Sequence, residues 1–493
     1  MLRFKVFQND RPATSVNVKD AYLVGSDRVP LRAEVEFVKG EIRCDTQARG
    51  AAALSILWPV EGVGRMMLET TRLLERKRPY NLHVELARGQ LMRISQKRED
   101  WGLYDYPDGK PVYAQIEAAR DRLLDAMTAE NEVTATRHAE AAITASVRAS
   151  EAVGRFHANI FFERRQGSPH IAKRPLGCAF DPVRDTEAHL QAAEKAFDFV
   201  SLDFDWRSIE PQEGKFQTGA CDPWLRVFRQ RKIPVRGSLL SFERARLPDW
   251  LPAIAGDFDH LREAVARYLK YVLRQFHGPV RAWEVIRGVH ARNDFHLSFE
   301  QIVDFTRMSA TLAKQFAPRS TAIIGIALPW SEYYRHDPRT IPATLYAEMV
   351  VRSGINFDAL GLEMRFGGEE PGLYVRDLMQ ISAMLDYFGS LGKPLHITAA
   401  GVPSIGNGAP TGCWRDRWSE EVQAEWLRDF YRIALSKPFV ETVTWQALAD
   451  HPDASVGGGV LRADLSLKPA YEEVLALRPL LHSDHAEDAP LDA

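Results

Sequence analysis

Cysteine is scarce in this chain of 493 residues, and its four cysteines lie far apart. They are Cys44, Cys178, Cys221 and Cys413. Disulfide-stabilised scaffolds and structural zinc sites use more cysteines, at short spacings such as Cys-x-x-Cys, so neither is expected. Few, scattered thiols suit a reducing compartment, and the sequence therefore predicts a cytoplasmic protein, with export of an unprocessed or alternative form as the alternative.

Long apolar runs and an excess of charge of one sign are also missing. No run approaches the roughly 20 apolar residues that a membrane span requires. The opening stretch, MLRFKVFQNDRPATS, has no apolar core of a signal peptide. The formal net charge of −3 gives no basic field for nucleic acid. Neither a membrane nor a nucleic acid is therefore expected as a partner.

Motifs of several enzyme classes are absent as well. There is no Gly-x-Ser-x-Gly sequence for a serine hydrolase. Gly457-Gly458-Gly459 lacks the strand–helix setting of a phosphate-binding loop and predicts a flexible turn. His290 and His296, with only Asn293 and Asp294 between them as further ligands, are better interpreted as loop histidines than as a metal site. The sequence predicts no cofactor and no metal.

The chain is too long for one ordinary core, so two or three domains are expected. Residues 1–112 contain short β-type runs, at 32–38, 51–58 and 80–87, and predict a β-rich, sandwich-like domain that either binds glycan or packs against its neighbour. Residues 113–170 are rich in Ala, Glu, Arg and Leu and predict a helical connector of one or two long helices. That connector serves either as a strut between domains or as an oligomerisation coil.

Residues 171–480 alternate between strand-like and helix-like patterns. The predicted strands are 176–180, 199–203, 233–238, 282–286, 321–326, 359–363, 395–398 and 442–445, with helices between them that include 186–196, 258–276, 299–316, 374–388 and 420–435. Eight βα units in about 300 residues predict a (β/α)8 TIM barrel, whose working residues lie at the C-terminal ends of the strands. The polar residues 481–493 predict a disordered tail.

Ordered motifs within this segment carry a family resemblance. They are Trp206 with Glu210-Pro211-Gln212-Glu213-Gly214-Lys215-Phe216, Arg236-Gly237, Leu247-Pro248-Asp249-Trp250, Trp283-Glu284-Val285-Ile286, Phe357–Leu362, His396-Ile397-Thr398, Thr444-Trp445 and Lys468–Tyr471. Together they resemble glycoside hydrolase family 10, the retaining endo-β-1,4-xylanases. The resemblance implies a β-linked polysaccharide or oligosaccharide as the ligand.

The resemblance also places the two catalytic glutamates of that family at positions without a carboxyl group. The acid/base position falls at Gly288, and the nucleophile, which follows His-Ile-Thr in the family, falls at Ala399. Retaining hydrolysis needs one carboxyl to protonate the leaving oxygen and a second, about 5–5.5 Å away, to attack the anomeric carbon. Standard retaining hydrolysis is therefore predicted to be absent, although a transfer of function by overall similarity would call the chain an endo-xylanase.

Acidic residues elsewhere leave an active enzyme as an alternative. Asp203, Asp205, Glu243 and Glu363 fall at or just past predicted strand ends, where relocated carboxylates, with Glu363, Glu243 and Asp203 as the main candidates, could hydrolyse a xylan-like polysaccharide. Such a pair requires two groups whose environments push their pKa values apart. The competing interpretation is that these acids are structural partners of arginines.

Arg287 and Arg365 introduce positive charge where the family has none. Guanidinium groups suit carboxylate, sulfate and phosphate, so this hypothesis makes the glycan anionic, for example uronate-containing. The alternative is that both arginines pair with nearby acids, of which Glu363 and Glu284 are the obvious candidates.

The remaining candidates for substrate binding are Asp205, Trp206 and Trp445. The resemblance implies aromatic residues at both tryptophan positions, where sugar rings stack on exposed indoles. A third interpretation dispenses with catalysis altogether and treats the barrel as a non-catalytic scaffold for polysaccharide or for a protein partner. The oligomeric state does not follow from the sequence.

Overall fold

The computed structural model of the chain describes residues 1–104, 106–166, 174–276, 278–337, 339–408, 410–452 and 456–482. A β-rich region with three long helices precedes a closed barrel. The predicted tail from residue 481 lies, from residue 483 onward, outside the described residues.

Short strands build the N-terminal region, as the sequence predicted. They are β1 (Leu2–Lys5), β2 (Phe7–Gln8), β3 (Arg11–Pro12), β4 (Tyr22–Val24), β5 (Pro30–Leu31), β6 (Ala33–Val38), β7 (Glu41–Thr46), β8 (Ala53–Val60), β9 (Gly64–Glu69) and β10 (Tyr80–Asn81). One sheet has the order β10-β1-β7-β6, and a second contains β9, β8, β4 and β5 in that order. The side chains of β6 alternate in exposure, which is the pattern of a half-buried strand.

Three helices follow: α1 (Leu82–Asp100), α2 (Lys110–Thr128) and α3 (Glu132–Gln166). The prediction of a strand over 80–87 is wrong, because only its first two residues pair in a sheet and the rest begin α1. The Asn81 side chain caps this helix by accepting from the backbone N–H groups of His83 and Val84. Short apolar runs do not distinguish a strand from the start of a buried helix, which explains the error.

The barrel consists of eight parallel strands and confirms the predicted fold class. The elements in chain order are β11 (Leu176–Ala179), α4 (Glu187–Ala196), β12 (Phe199–Asp203), α5 (Trp206–Ile209), α6 (Cys221–Gln230), β13 (Val235–Ser241), α7 (Phe258–Phe276), β14 (Val280–Arg287), α8 (Phe299–Phe316), β15 (Thr321–Ile326), α9 (Ala343–Arg352), β16 (Ala359–Arg365), α10 (Leu378–Gly389), β17 (Leu395–Gly401), β18 (Cys413–Trp414), α11 (Glu420–Ser436), β19 (Val440–Trp445) and α12 (Pro469–Leu481). Strand β19 pairs with both β17 and β11, which closes the barrel.

The N-terminal region and the barrel are joined by more than the chain connection. Strand β18 leaves the loop after β17 and pairs antiparallel with β9, so it becomes an edge of the second N-terminal sheet. Helix α3 contacts α1 and α2 and also α10 and α11 of the barrel. One contiguous hydrophobic cluster therefore extends from Leu2 to Leu477. Across the part of the chain that the structure describes, no helix has the length and apolarity to span a membrane.

Candidate functional site at the barrel mouth

A cavity of about 650 Å³ lies where the C-terminal ends of the barrel strands meet. It brings together most of the candidates that the sequence singled out at separate strand ends. The lining includes Asp203, Asp205, Glu243, Arg287, Glu363, Arg365 and Ala399, with Ser201, Arg236, Arg246, Thr398 and Gln446 between them.

Arg287, the last residue of β14, is the centre of the charge network in this cavity. It is 7% exposed, and its guanidinium lies 3.2 Å from Glu363 Oε1, 3.5 Å from Glu284 Oε2 and 3.7 Å from Glu243 Oε1. Burial alone would lower the pKa of Arg287, but the charges of Asp203 and these three glutamates outweigh burial and raise it. Arg287 is therefore a permanent cation whose charge is already balanced by protein carboxylates.

Glu363 is held from two sides. Arg365 Nη2 lies 3.3 Å from Glu363 Oε2, while Arg287 holds the other oxygen. The interpretation of both arginines as partners of nearby acids is therefore correct in this structure, although Glu284 contacts only Arg287 of the two. The Arg365 side chain keeps 22% exposure and has the freer guanidinium of the pair.

Two further arginines, which the sequence interpretation did not include, neutralise the acids at the rim. Arg246 lies 2.5 Å from Asp203 Oδ2 and 3.0 Å from Glu243 Oε2, and Arg292 Nη1 lies 3.3 Å from Glu243 Oε1. Arg246 follows Glu243 by three residues, and this spacing was a local sequence signal for the pair that they form. The partner of Arg292 depended on how the loops pack, so no sequence signal identified it.

These contacts fix the protonation of the rim carboxyls. Burial would raise the pKa of Glu243, but Arg287, Arg292, Arg246 and Arg365 together lower it to about 2. The pKa of Asp203 is likewise lowered, because Arg246 and Arg287 outweigh the effect of its burial. A general acid must hold a proton near the working pH, and neither group does.

Glu284 is the one acid of this group whose pKa moves upward, chiefly because it is buried. It is 1% exposed and does not belong to the cavity lining. Gly325 and Gly361 leave the space that it occupies, since an added Cβ would lie 2.6 Å and 3.0 Å, respectively, from Glu284 Oε1. Glu284 therefore supports Arg287 from below and cannot reach a ligand.

Ala399 and Gly288 occupy different surroundings. Ala399 lines the cavity and is in register with Glu363 on the neighbouring strand. Gly288 follows β14 with a φ of 76°, in the left-handed region, and a Cβ placed there would lie 3.3 Å from Arg292 Nη1. Neither residue carries a group that transfers a proton or attacks carbon.

The structure corrects the expectation for Trp206 and Trp445. They are 2% and 0% exposed, and their indole N–H groups donate to Glu210 and to the carbonyl of Gly458. Neither ring offers a face to a sugar. Among the described residues that line the cavity, Phe180 is the single aromatic, and it is 3% exposed. Asp205 does line the cavity, where its carboxylate accepts from Ser208 Oγ.

The charges of the lining balance. Its described residues include five acids, Asp181, Asp203, Asp205, Glu243 and Glu363, and five arginines, Arg184, Arg236, Arg246, Arg287 and Arg365. The positive field that Arg287 and Arg365 suggested is therefore cancelled locally. In the same described part of the chain, no group of His, Cys, Asp and Glu residues has an arrangement that could hold a metal ion.

Comparison with known proteins gives a consistent result. The model of the family described as glycosyl hydrolase family 10 matches residues 172–475. Endo-1,4-beta-xylanase 3 of Hypocrea jecorina is 27% identical over 281 residues, which cover 55% of this chain and 72% of that protein. Endo-1,4-beta-xylanase B of Thermotoga neapolitana is 20% identical over 278 residues, covering 56% of this chain and 76% of that protein.

Solved structures show the same fold. Native xylanase 10B from Thermotoga maritima superposes with a TM-score of 0.50 at 16% identity, covering 64% of this chain and 96% of that chain. A GH10 structure from Paenibacillus barcinonensis gives a TM-score of 0.50 at 18% identity, covering 64% and 97%. Residues before 172 lie outside the family match.

Proposed function

Because the chain belongs to glycosyl hydrolase family 10, we propose that residues 171–480 bind a β-linked polysaccharide or oligosaccharide without the retaining hydrolysis of that family. The observation that carries this proposal is the pair Ala399 and Glu363. Where the resemblance implies a nucleophile, the strand presents a methyl group, and the neighbouring carboxylate is bound by two arginines.

The absence of hydrolysis follows from what retaining chemistry requires. It needs one protonated carboxyl and one free carboxylate on either side of the scissile bond. Glu243 and Asp203 have lowered pKa values and are ionised at neutral pH. Glu363 accepts a hydrogen bond from Arg365 and forms an ion pair with Arg287, and it would have to leave both to attack carbon. These facts argue against the alternative of relocated catalytic carboxylates.

Binding would depend on hydrogen bonds more than on stacking. The cavity presents paired carboxylates and guanidinium groups, which accept from and donate to sugar hydroxyls, and the one aromatic residue among its described lining is buried. Without an exposed indole in the described lining, a sugar ring has no aromatic face on which to stack. We therefore propose a selective but modest affinity for the glycan.

The sign of the glycan charge is the second part of the proposal. Five acids and five arginines in the lining favour a neutral glycan over an anionic one. The observation that favours an anionic glycan is Arg365, whose side chain is 22% exposed and, among the described residues, forms an ion pair with Glu363 only. Comparing a neutral xylo-oligosaccharide with one that carries a uronate decides between the two.

The experiment combines turnover and binding on the full chain. A panel of β-linked glycans is incubated with the protein, reducing ends are quantified, and binding is measured by calorimetry. We expect saturable binding without new reducing ends. Binding should weaken about tenfold or more in Arg365→Met, and the matched variant Arg120→Met, of an exposed arginine on α2, should leave it unchanged.

Two outcomes would contradict the proposal. Product release that Glu363→Gln or Glu243→Gln abolishes would establish the relocated-carboxylate alternative. If the protein neither binds nor cleaves any glycan of the panel, the scaffold alternative remains, in which the barrel binds a protein partner.

A further inference from the structure

A second cavity, of about 400 Å³, lies between the N-terminal region and the barrel, away from the barrel mouth. Its walls come from β4, β9 and α1 on one side and from α10 and the segment after β15 on the other. The two sides are tied together at this place. Met67 N donates to the carbonyl of Val375 at 2.9 Å, and Gln90 Nε2 donates to Asp377 Oδ2 at 3.2 Å. The cavity is therefore preformed.

The charge of this lining is strongly positive, unlike that of the barrel mouth. It includes five cationic side chains, Arg28, Arg72, Arg93, Lys97 and Arg376, and two acidic ones, Glu69 and Asp100. A concave surface with such an excess of one sign concentrates ligands of the opposite charge.

Two of the five cations are neutralised by the protein. Arg376, which is 2% exposed, forms an ion pair with the buried Glu332 and also donates to the hydroxyl of Tyr22. Lys97 lies 3.0 Å from Asp100. These two positions are structural and contribute little net charge to a ligand.

The other three cations have no carboxylate within 4.0 Å in the described part of the chain. Arg72 Nε donates to the carbonyl of Gly25 at 3.2 Å. Arg93 donates to the carbonyl of Glu69 at 3.4 Å and to the side chain of Gln90, and its buried Nε has no partner among the described residues. Arg28 is exposed at the edge of the cavity. Guanidinium groups with unused donors are suited to carboxylate or phosphate oxygens.

The remaining wall is aromatic and apolar. Trp330 and Tyr387 line the cavity and are partly exposed, and Met379 lies behind them. The Arg376 guanidinium lies 5.0 Å from the ring centroid of Trp330 and fixes the position of that indole. An aromatic wall opposite guanidinium groups that have no carboxylate partner in the described part of the chain suits a ligand with one ring-shaped body and one anionic group.

We propose that this cavity binds a small acidic sugar, with its carboxylate or phosphate on Arg72 and Arg93 and its ring against Trp330 and Tyr387. The volume lies at the lower end of the range of about 300–1,000 Å³ that is usual for small-molecule sites. A uronate and a sugar phosphate present the same combination of ring and anion, so the two are separate arms of the test. The inference does not depend on the proposed function of the barrel mouth.

The test is calorimetry on the full chain with D-glucuronate, D-glucose 6-phosphate, D-glucose and inorganic phosphate. We expect at least one of the two acidic sugars to bind, with D-glucose and inorganic phosphate each about tenfold weaker or more. The double variant Arg72→Met/Arg93→Met should weaken that binding about tenfold or more. Arg120→Met on α2 is the matched control, and it should change nothing.

Two further variants distinguish the loss of this binding site from the loss of the fold. Arg28→Met, at an exposed position on the edge of the cavity, should reduce the affinity for the acidic sugar about threefold and leave the melting temperature unchanged. Arg365→Met, in the barrel mouth, should not affect this binding, which distinguishes the two sites. No binding of either acidic sugar, equal binding of D-glucose or inorganic phosphate, or an affinity that Arg72→Met/Arg93→Met leaves unchanged would overturn the proposal.

Discussion

At the barrel mouth, the lowered pKa of Glu243 makes this residue unsuitable as a general acid and stabilises the folded protein. Its pKa falls to about 2, from an ordinary value of about 4.5, because arginines on three sides outweigh its burial. A carboxyl whose folded-state pKa is depressed stabilises the fold above its unfolded pKa, and that contribution disappears as pH falls through the folded pKa. The window for this loss is therefore about pH 4.5 to 2.

We expect that in Glu243→Gln the free energy of unfolding depends less on pH between about pH 4.5 and 2 than it does in the wild type. At pH 7 the variant should be less stable by about 2–3 kcal/mol, and the difference from wild type should vanish near pH 2. Urea unfolding at a series of pH values measures this. Glu117→Gln, of an exposed glutamate on α2, is the matched control. A difference that is independent of pH would contradict the assignment.

The left-handed backbone conformation of Gly288 leads to a separate prediction. At its φ of 76° an L side chain is strained, so Gly288→Ala should lower the free energy of unfolding by about 1–2 kcal/mol. Gly256 has no positive φ and no atom within 4 Å of an added Cβ, so Gly256→Ala should be neutral or slightly stabilising. Chemical denaturation of the two variants compares them, and equal costs would refute the conformational argument.

The individual residues of the site were only partly predictable from the sequence. Strand ends identified Asp203 and Glu363, because barrel strands present their last residues at one rim, whereas Arg287 was identified from the family resemblance. The pairing of Arg292 with Glu243 and the burial of Trp445 were not predictable, since they depend on loop packing and on contacts between distant segments.

At the scale of elements, β18 and α3 connect the barrel mouth to the N-terminal region. Trp414 of β18 is fully buried, and its indole N–H donates to Glu151 of α3. Arg415 lies 3.2 Å from the same carboxylate. The loop that follows Ala399 is thus anchored at its far end by a helix that precedes the barrel.

Removing the Glu151 carboxylate, which holds Trp414 and Arg415, should destabilise the folded protein. We expect Glu151→Ala to lower the free energy of unfolding by about 2–3 kcal/mol, because a buried indole donor and an arginine lose their acceptor. Arg415 keeps Glu425 at 2.7 Å, which limits the loss. Glu163→Ala, at an exposed position of the same helix, should change stability by less than about 0.5 kcal/mol. Denaturant unfolding that gives equal values for the two variants would show that this contact is not an anchor.

Elements with strong periodicity were predictable, and long-range pairings were not. The strands at 199–203 and 321–326 and the helices at 258–276 and 299–316 have the predicted bounds. Helix α1 was missed because its first residues form a short apolar run with no clear period. The pairing of β18 with β9 joins segments more than 300 residues apart, as Cys413 and Arg65 show, and no local pattern encodes it.

At the scale of the whole molecule, the shared core implies that the two regions unfold together. The hydrophobic cluster that runs from Leu2 to Leu477 is contiguous across the β-rich region, α3 and the barrel. We expect a single thermal transition, with coincident curves from far-UV circular dichroism and tryptophan fluorescence. Two resolved transitions would contradict a common core and would instead support independent domains at 1–112 and 171–480.

The molecule thus contains a family 10 barrel whose mouth is lined by equal numbers of acidic and arginine side chains. The N-terminal region is anchored to this barrel, and a second, cationic cavity lies between the two. We propose that this mouth binds a glycan and does not cleave it. A neutral xylo-oligosaccharide, followed in one sample by calorimetry for binding and by chromatography for products, tests it most directly. Saturable binding with the oligosaccharide recovered intact is the expected result. Shortened products, lost in Glu363→Gln or Glu243→Gln, would contradict it.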